Sequence, residues 1–193
     1  MTTYVVTTEP TTEPLTLDEL KLRMRILTCD YDTELLQILT ESRKRVEEDS
    51  KRKLITQTVK MYLDEFPCED EIDIRLAPVQ SITSLQYYDL SGTLQTFSST
   101  TGYWTDIVTT PPEIELRYGQ IWPYTELERP NAVIITFIAG YGAASAVPAV
   151  AKLAIVEYAK SLWQGCDGNT ATYQRLISSL SWTAYHDVCT EDI

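Results

Sequence analysis

The fold is decided by residues 130–142, which read PNAVIITFIAGYG and precede Val147-Pro148 and a helical segment. Residues 133–139 are apolar at almost every position, which is typical of a strand buried on both faces. Two glycines then turn the chain, and Pro148 suits the first turn of a helix, where the N–H that proline lacks would have no partner. The stretch predicts a strand in the middle of a sheet or under a helix, then a glycine corner and a helix.

The helix that begins near Pro148 is apolar on almost every side. Its apolar positions fall into two sets: one stripe of Ala151, Ile155, Tyr158 and Leu162, and most of the remaining surface with Val150, Leu153, Val156 and Trp163. A surface helix needs one buried face, whereas this one requires cover on nearly two. We expect the second cover from the β part of the chain or from a neighbouring subunit.

Two helices are predicted before residue 54. Thr16 and Glu19 form a capping-box pattern that starts a short helix, which we expect to run to about residue 27. An acidic break follows, and apolar residues at helical spacing predict a longer helix to about residue 51. Residues 1–15 repeat Thr-Thr-Glu-Pro, a composition that favours an extended arm, either disordered or ordered against a neighbour.

The period of the pattern changes from helical to alternating after residue 54, which predicts short antiparallel strands. The expected fold class is α+β, with a helical core (an N-terminal helical hairpin plus C-terminal helices) and an inserted antiparallel β unit. We expect the arm at 1–15, the helical core at 16–53 and 147–185, the β unit at 54–142 and a C-terminal tail at 186–193.

Charge and composition narrow the function. The chain has 16 Lys and Arg against 28 Asp and Glu, a net charge of −12 that opposes binding to nucleic acid. Its one basic cluster, Arg43-Lys44-Arg45, stands among glutamates and predicts a salt-bridged, solvated helix face. No apolar run is long enough for a membrane span and no signal peptide is evident, so we expect a cytoplasmic protein without a membrane partner.

No enzymatic or metal chemistry is predicted. The sequence has no GxSxG elbow, P-loop or GxGxxG motif, and its single histidine, His186, lies near the C-terminus. The four cysteines are widely spaced, which indicates reduced thiols in or near a core rather than a zinc site. We expect no catalytic residue, no metal and no cofactor.

Aromatic residues are concentrated around the prolines of the β region. The packing of a small β unit accounts for them, but tryptophan and tyrosine also serve as anchors for a sugar or a protein partner. The candidates for such a contact are Trp104, Trp122 and Tyr124.

The order of these segments resembles the head–tail connector (adaptor) family of long-tailed bacteriophages, in the branch that carries a β insertion. The resemblance spans about residues 15–165 and rests on the succession of LTLDELK (15–21), LITQT (54–58), IRL (74–76), PVQSITSL (78–85), GQIWP (119–123), the strand at 131–142 and Val147-Pro148. No single motif among them is specific to the family, whereas their order is.

The resemblance implies a structural protein of the virion neck, assembled in the host cytoplasm. Such connectors form a ring of about twelve copies that binds the portal protein and a tail terminator or stopper protein, and genomic DNA passes through without specific binding. Carried over to this chain, it implies a ring interface at Leu153, Ile155, Val156, Tyr158, Leu162 and Trp163. It also implies portal docking by Leu176, Leu180, Trp182 and Tyr185. The aromatic residues Trp104, Trp122 and Tyr124 are candidates for a contact with the tail side or with another partner.

Two other functions remain open. A tail terminator or another completion ring protein would share the small size and the β content. A carbohydrate-binding module would expose Trp104, Trp122 and Tyr124 on one platform.

Overall fold

The computed structural model describes residues 2–126 and 129–181, which form four helices and eight strands. They divide into two compact units. We call residues 1–9 with 56–140 the sheet unit, and residues 10–55 with 141–193 the helical unit. The predicted α+β fold class is confirmed. The domain limits predicted from the sequence stay predictions.

The helical unit contains α1 (Leu17–Met24), α2 (Asp32–Ser50), a short 3-10 turn (Ala144–Ala146), α3 (Ala149–Trp163) and α4 (Ala171–Leu180). The predicted capping box is present, because the N–H of Glu19 donates to Thr16 Oγ1 at 3.2 Å and the N–H of Thr16 donates to Glu19 Oε2 at 2.8 Å. Helix α1 ends three residues before the expected limit, where Arg25 adopts a left-handed conformation at φ 61°.

Helix α3 lies in the core of the helical unit. It contacts α1, α2 and α4, and its Ala151, Ala154, Ile155, Val156 and Ala159 are buried. Within this unit, helices of the same chain therefore cover much of the apolar surface for which the sequence required cover.

A buried ion-pair network ties α2 to its flanking segments. Glu47 is 2% exposed and accepts the backbone N–H of Leu54 at 3.0 Å and Lys53 Nζ at 3.1 Å. Arg43 is also buried and pairs with Glu47 and with Glu13, at 3.4 and 2.8 Å. The predicted solvated face of the basic cluster is therefore wrong for Arg43, whereas Arg45 is partly exposed and pairs with Asp49.

The sheet unit contains two antiparallel sheets. The first has the strand order β1 (Thr2–Thr8), β2 (Gln57–Leu63), β8 (Val133–Ala139), β4 (Val79–Tyr88) and β5 (Leu94–Phe97). The second has the order β3 (Glu71–Asp73), β7 (Glu113–Leu116) and β6 (Tyr103–Asp106). Strand β8 is the middle strand of the larger sheet, as predicted, but its residues alternate between buried and partly buried, so one face is fully covered rather than both. Residues from both sheets share one apolar core, among them Phe137, Ile135, Ile72 and Ile114.

The first residues of the chain belong to a sheet. Residues 2–8 of the expected arm form β1, which pairs with β2 of the same chain, Tyr4 opposite Met61 and Val6 opposite Val59. The side chains of Tyr4 and Phe137 meet edge to face at 6.5 Å between ring centroids, so the strand contributes to the core as well as to the ladder.

Candidate assembly surfaces

The predicted ring-interface residues on α3 have different environments. Ile155, Val156 and Tyr158 are buried in the core of the helical unit, and Leu162 and Trp163 are partly exposed. Leu153 is 38% exposed, and Val150, one turn earlier, is exposed to the same extent. Of these apolar side chains of α3, only those of Val150 and Leu153, with parts of Leu162 and Trp163, form an outer surface that another molecule could contact.

The predicted docking residues lie at the end of α4 and beyond it. Leu176 is partly buried and Leu180 is buried in the core, whereas Trp182 and Tyr185 lie outside the described residues. Arg52 holds this end of the helix, because its Nε donates to the carbonyl of Leu180 at 2.5 Å and its Nη1 donates to the hydroxyl of Tyr141 at 3.1 Å. The start of the C-terminal segment is thus fixed to the helical unit by a cation at the carboxyl end of a helix.

The three candidate aromatic residues do not share one environment. The ring of Trp122 stacks on that of Phe66 at 4.9 Å with an interplanar angle of 7°, and its Nε1 donates to the carbonyl of Glu69 at 2.8 Å. Trp104 is 57% exposed, but the guanidinium of Arg117 lies 3.4 Å from its ring centroid. Tyr124 is exposed. Trp122 is thus a packing residue, and Trp104 and Tyr124 remain accessible.

An exposed loop follows β7 and carries further apolar side chains. Tyr118 and Ile121 are exposed beside Tyr124, and Gly119 turns the chain at φ +78°, with the N–H of Gln120 donating to the carbonyl of Arg117 at 2.9 Å. We call residues 117–126 the aromatic loop. Ile121 was not singled out from the sequence, because a lone isoleucine between a glycine turn and a proline carries no periodic signal.

A second apolar surface missed by the sequence analysis lies at the corner between α1 and α2. We call it the α1–α2 corner, and it consists of the exposed side chains of Leu22, Leu27, Tyr31 and Leu36. The corner is braced by Lys21, whose Nζ lies 2.7 Å from Asp32 Oδ1, and by the edge-to-face contact of Tyr31 with Trp163 at 5.3 Å. The hydrogen bond that the Lys21 ammonium donates to Asp32 raises the pKa of Lys21, which keeps its charge at neutral pH. Leu27 lies beyond the end of α1, which was expected to run to about residue 27.

The outer face of the smaller sheet is acidic. Asp73 and Asp106 lie directly opposite Glu113 on either side, and Glu71 lies opposite Glu115. Desolvation, with the nearby negative charge of Glu71, raises the pKa of Glu113. Like charges in directly opposed positions destabilise an antiparallel pair, so this face costs free energy of folding.

The described part of the chain contains neither a cluster of metal ligands nor a helix that could cross a membrane. Between residues 2 and 126 and between 129 and 181, no three His, Cys, Asp or Glu side chains are grouped as metal ligands. None of the helices described there is both long and apolar enough to cross a membrane. Cys29, Cys68 and Cys166 are exposed free thiols, so their predicted place in or near a core is wrong, and Cys189 lies outside the described residues.

Comparisons with known proteins identify the fold. No protein-family model matches the chain, and no curated protein matches it. A chain of the virion of a native gene transfer agent (GTA) particle superposes with a TM-score of 0.78 at 23% identity, over 92% of this chain and 94% of that chain. A chain in the neck of an empty GTA particle, computed with C6 symmetry, gives 0.77 at 23% identity over 93% and 95%. One in the neck of a native GTA particle, computed with C12 symmetry, gives 0.71 at 21% identity over 94% of each chain.

The likeness therefore extends over nearly the whole length of both chains. At such identities it shows a shared fold. This chain has the fold of chains found in the virion and neck of gene transfer agent particles.

Proposed function

We propose that this chain is a structural component of the neck of a phage-like particle, where copies of it form the ring of a head–tail adaptor. The observation that carries the proposal is the likeness in fold to neck chains over 92% or more of both partners, with two units matched in one continuous chain. The similar neck structures were computed with C6 and C12 symmetry, which is consistent with a ring. The proposed role is architectural and requires neither catalysis nor a cofactor.

The exposed apolar surfaces of the helical unit are the proposed contacts between copies. A ring is closed by a heterologous contact, in which two different patches of one chain meet in neighbouring copies. Val150 with Leu153 on α3 is one such patch, and the α1–α2 corner is the other. Ile155, Val156 and Tyr158 contribute by holding α3 in place, since their side chains are buried.

Two contacts with the rest of the particle are proposed, one through the residues that follow α4 and one through exposed aromatic side chains. Residues beyond Leu180, which include Trp182 and Tyr185, are proposed to reach the portal protein from the end of α4 that Arg52 fixes. Trp104 and the aromatic loop are proposed to contact a tail terminator or stopper protein, since aromatic side chains are frequent anchors in protein interfaces.

Charge supports passage of DNA without binding. A net charge of −12 per chain, repeated around a ring, gives a field that opposes phosphate. DNA in such a channel would make few ion pairs and would remain free to move.

Native mass spectrometry of the purified chain, alone and mixed with the portal protein of the same particle, tests this proposal. We expect either a ring of about twelve copies, the symmetry of one similar neck structure, or a chain that joins the portal in matching stoichiometry. A monomer that ignores the portal would overturn the proposal. A ring that forms alone and does not bind the portal would favour a tail terminator.

A further inference from the structure

The sheet unit contains a groove between the edges of its two sheets. Strand β1 is one edge of the larger sheet and β3 is one edge of the smaller sheet. A cavity of about 790 Å³ lies between them, lined by Thr2 and Tyr4 from β1, Met61 and Leu63 from β2, and residues of the β2–β3 segment up to Arg75. The segment that follows β3 is tied to β1, since the backbone N–H of Arg75 donates to the hydroxyl of Tyr4 at 2.9 Å.

The lining combines apolar and acidic side chains. Met61, Leu63, Phe66 and Ile72 supply apolar surface, and Glu65, Glu69, Glu71 and Asp73 supply four carboxylates. Among the described residues that line the groove, Arg75 is the one cation, and it lies 3.7 Å from Asp73. The charge of the groove is therefore negative even after that pair is counted, and Glu65, Glu69 and Glu71 are exposed.

The edge strand beside the groove has neither a charge nor a proline, and the irregularity in its pairing with β2 lies near its end, between Val6 and Thr8. Natural edge strands are commonly blunted by a charge or a proline, because an open row of N–H and C=O groups pairs readily with another strand. Strand β1 reads TTYVVTT, seven residues without a charge or a proline and rich in residues that favour strands. Such a sequence suits an edge that another segment covers.

We propose that this groove binds an extended segment of a different protein, in which lysine or arginine alternates with apolar residues. The segment adds to the free edge of β1, its backbone pairs with that strand, and its cations meet Glu65, Glu69 and Glu71. The alternation follows from strand geometry, which sends successive side chains to opposite faces.

Charge selects against the other occupants. The carboxylates repel the phosphates of nucleic acid. A second copy of this chain carries a net charge of −12, and its residues 182–193 include three acidic residues and no lysine or arginine. The groove lies within the sheet unit of one chain, so the inference holds whether or not the chain forms a ring.

Fluorescence anisotropy with a labelled peptide of alternating lysine and valine, as long as β1 with its 7 residues, tests the proposal in the full chain. The groove variant is E65Q/E69Q/E71Q. The matched control is E34Q/E41Q/E48Q, which removes the same charge from exposed positions on α2. We expect the groove variant to weaken binding about tenfold, as three exposed ion pairs of ordinary strength require, and the control to change it less than about twofold.

The result that overturns the proposal is equal weakening by both triple variants, which would mean attraction by net charge alone, or no binding to the unaltered chain. Hydrogen exchange provides the second readout. We expect the peptide to slow exchange of amides in residues 2–8, and slowing confined to other parts of the chain contradicts the inference. Spermine supplies positive charge without a backbone, and displacement of the label by spermine as well as by unlabelled peptide would also overturn it.

Discussion

Gly168 lies directly against the ring of Tyr158. A Cβ added to this glycine would stand 2.6 Å from Cδ2 of the tyrosine, closer than real Cβ atoms approach other atoms. Its backbone has φ +82°, and its N–H donates to Ser161 Oγ at 3.2 Å. Tyr158 also packs on Tyr173 of α4, at 5.1 Å between ring centroids. The contact of Gly168 with Tyr158 therefore fixes the segment that connects α3 and α4.

We expect Gly168→Ala to lower the free energy of unfolding by about 2 to 4 kcal/mol, since it combines a left-handed residue with overpacking. Gly165→Ala is the matched control, because Gly165 also has positive φ but would meet nothing within 4 Å. The control should cost about 1 kcal/mol. Urea unfolding of both variants measures the difference, and equal losses would show that Tyr158 yields without cost.

The buried carboxylate of Glu47 is expected to contribute strongly to stability. Glu47→Ala would leave the N–H of Leu54 without its acceptor and would remove a buried partner of Arg43. We expect a loss of about 3 to 5 kcal/mol in urea unfolding, the usual cost of breaking a buried ion pair. The neighbouring Glu48 is 69% exposed at its side chain, so Glu48→Ala should stay within about 0.5 kcal/mol. Similar effects of the two substitutions would contradict the role of burial.

These examples show which parts of the structure follow from local sequence. The Thr16–Glu19 cap and the central position of β8 depend on neighbours in sequence or on the apolar run itself, and both were predictable. The burial of Arg43 was not, because its partner Glu13 lies 30 residues away. The pairing of β1 within the chain was not predictable for the same reason. Its partner strand begins at Gln57, and the Thr-Thr-Glu-Pro repeat of residues 7–14 favours an extended arm.

The assembly surfaces were less predictable than the core. Periodicity identifies Leu153 and Ile155 alike as apolar positions on α3, but only tertiary packing decides that one is exposed and the other buried. The α1–α2 corner depends on where α1 ends, and the left-handed Arg25 has no signal as strong as a glycine.

The hydrogen bonds to Asp89 in the β4–β5 turn are expected to make the stability of the chain depend on pH in the acid range. Its carboxylate accepts hydrogen bonds from Ser91, Gln95 and Thr93, which lower its pKa to about 2 from an ordinary value of 3.8. A lowered pKa means that the charged form stabilises the fold fully above pH 4 and that this stabilisation disappears as the pH falls through 2. We expect Asp89→Asn to be less stable than the unaltered chain at pH 7, with a difference that narrows between pH 4 and pH 2. Urea unfolding across that range measures it.

The control for Asp89 is Asp30→Asn, which changes an exposed aspartate in the loop before α2. It corrects for the loss of one negative charge from an acidic protein. A difference for Asp89→Asn that stays constant down to pH 2 would contradict the assigned hydrogen bonds.

The charged form of Glu113 is expected to have the opposite effect on stability to that of Asp89. Burial and the facing carboxylates raise its pKa, so the charged form destabilises the fold once the pH exceeds its ordinary value of 4.5. We expect Glu113→Gln to stabilise the chain at pH 7 by about 0.5 kcal/mol, the size of one cross-strand pair, and to have no such effect below pH 4.5. Thermal unfolding at both pH values measures this, with Glu41→Gln on α2 as the control for net charge. A destabilised variant at pH 7 would mean that Glu113 has a favourable partner.

Substitutions of Leu153 and Ile155 can test assembly and folding separately on one helix, α3. Its side chain is exposed, whereas that of Ile155, two residues later, is fully buried. If α3 contacts a neighbouring copy, Leu153→Glu should place an unpaired charge in that contact and shift native mass spectra from rings to monomers, since a charge that is desolvated without a partner is costly. The monomer should unfold at the same urea concentration as the unaltered chain.

Ile155→Ala should instead lower the free energy of unfolding by about 2 to 5 kcal/mol through the cavity that it leaves. Lys152→Glu changes charge on the same helix beside the patch and serves as the control. Rings that survive Leu153→Glu would exclude this patch of α3 and leave the α1–α2 corner as the next contact to alter.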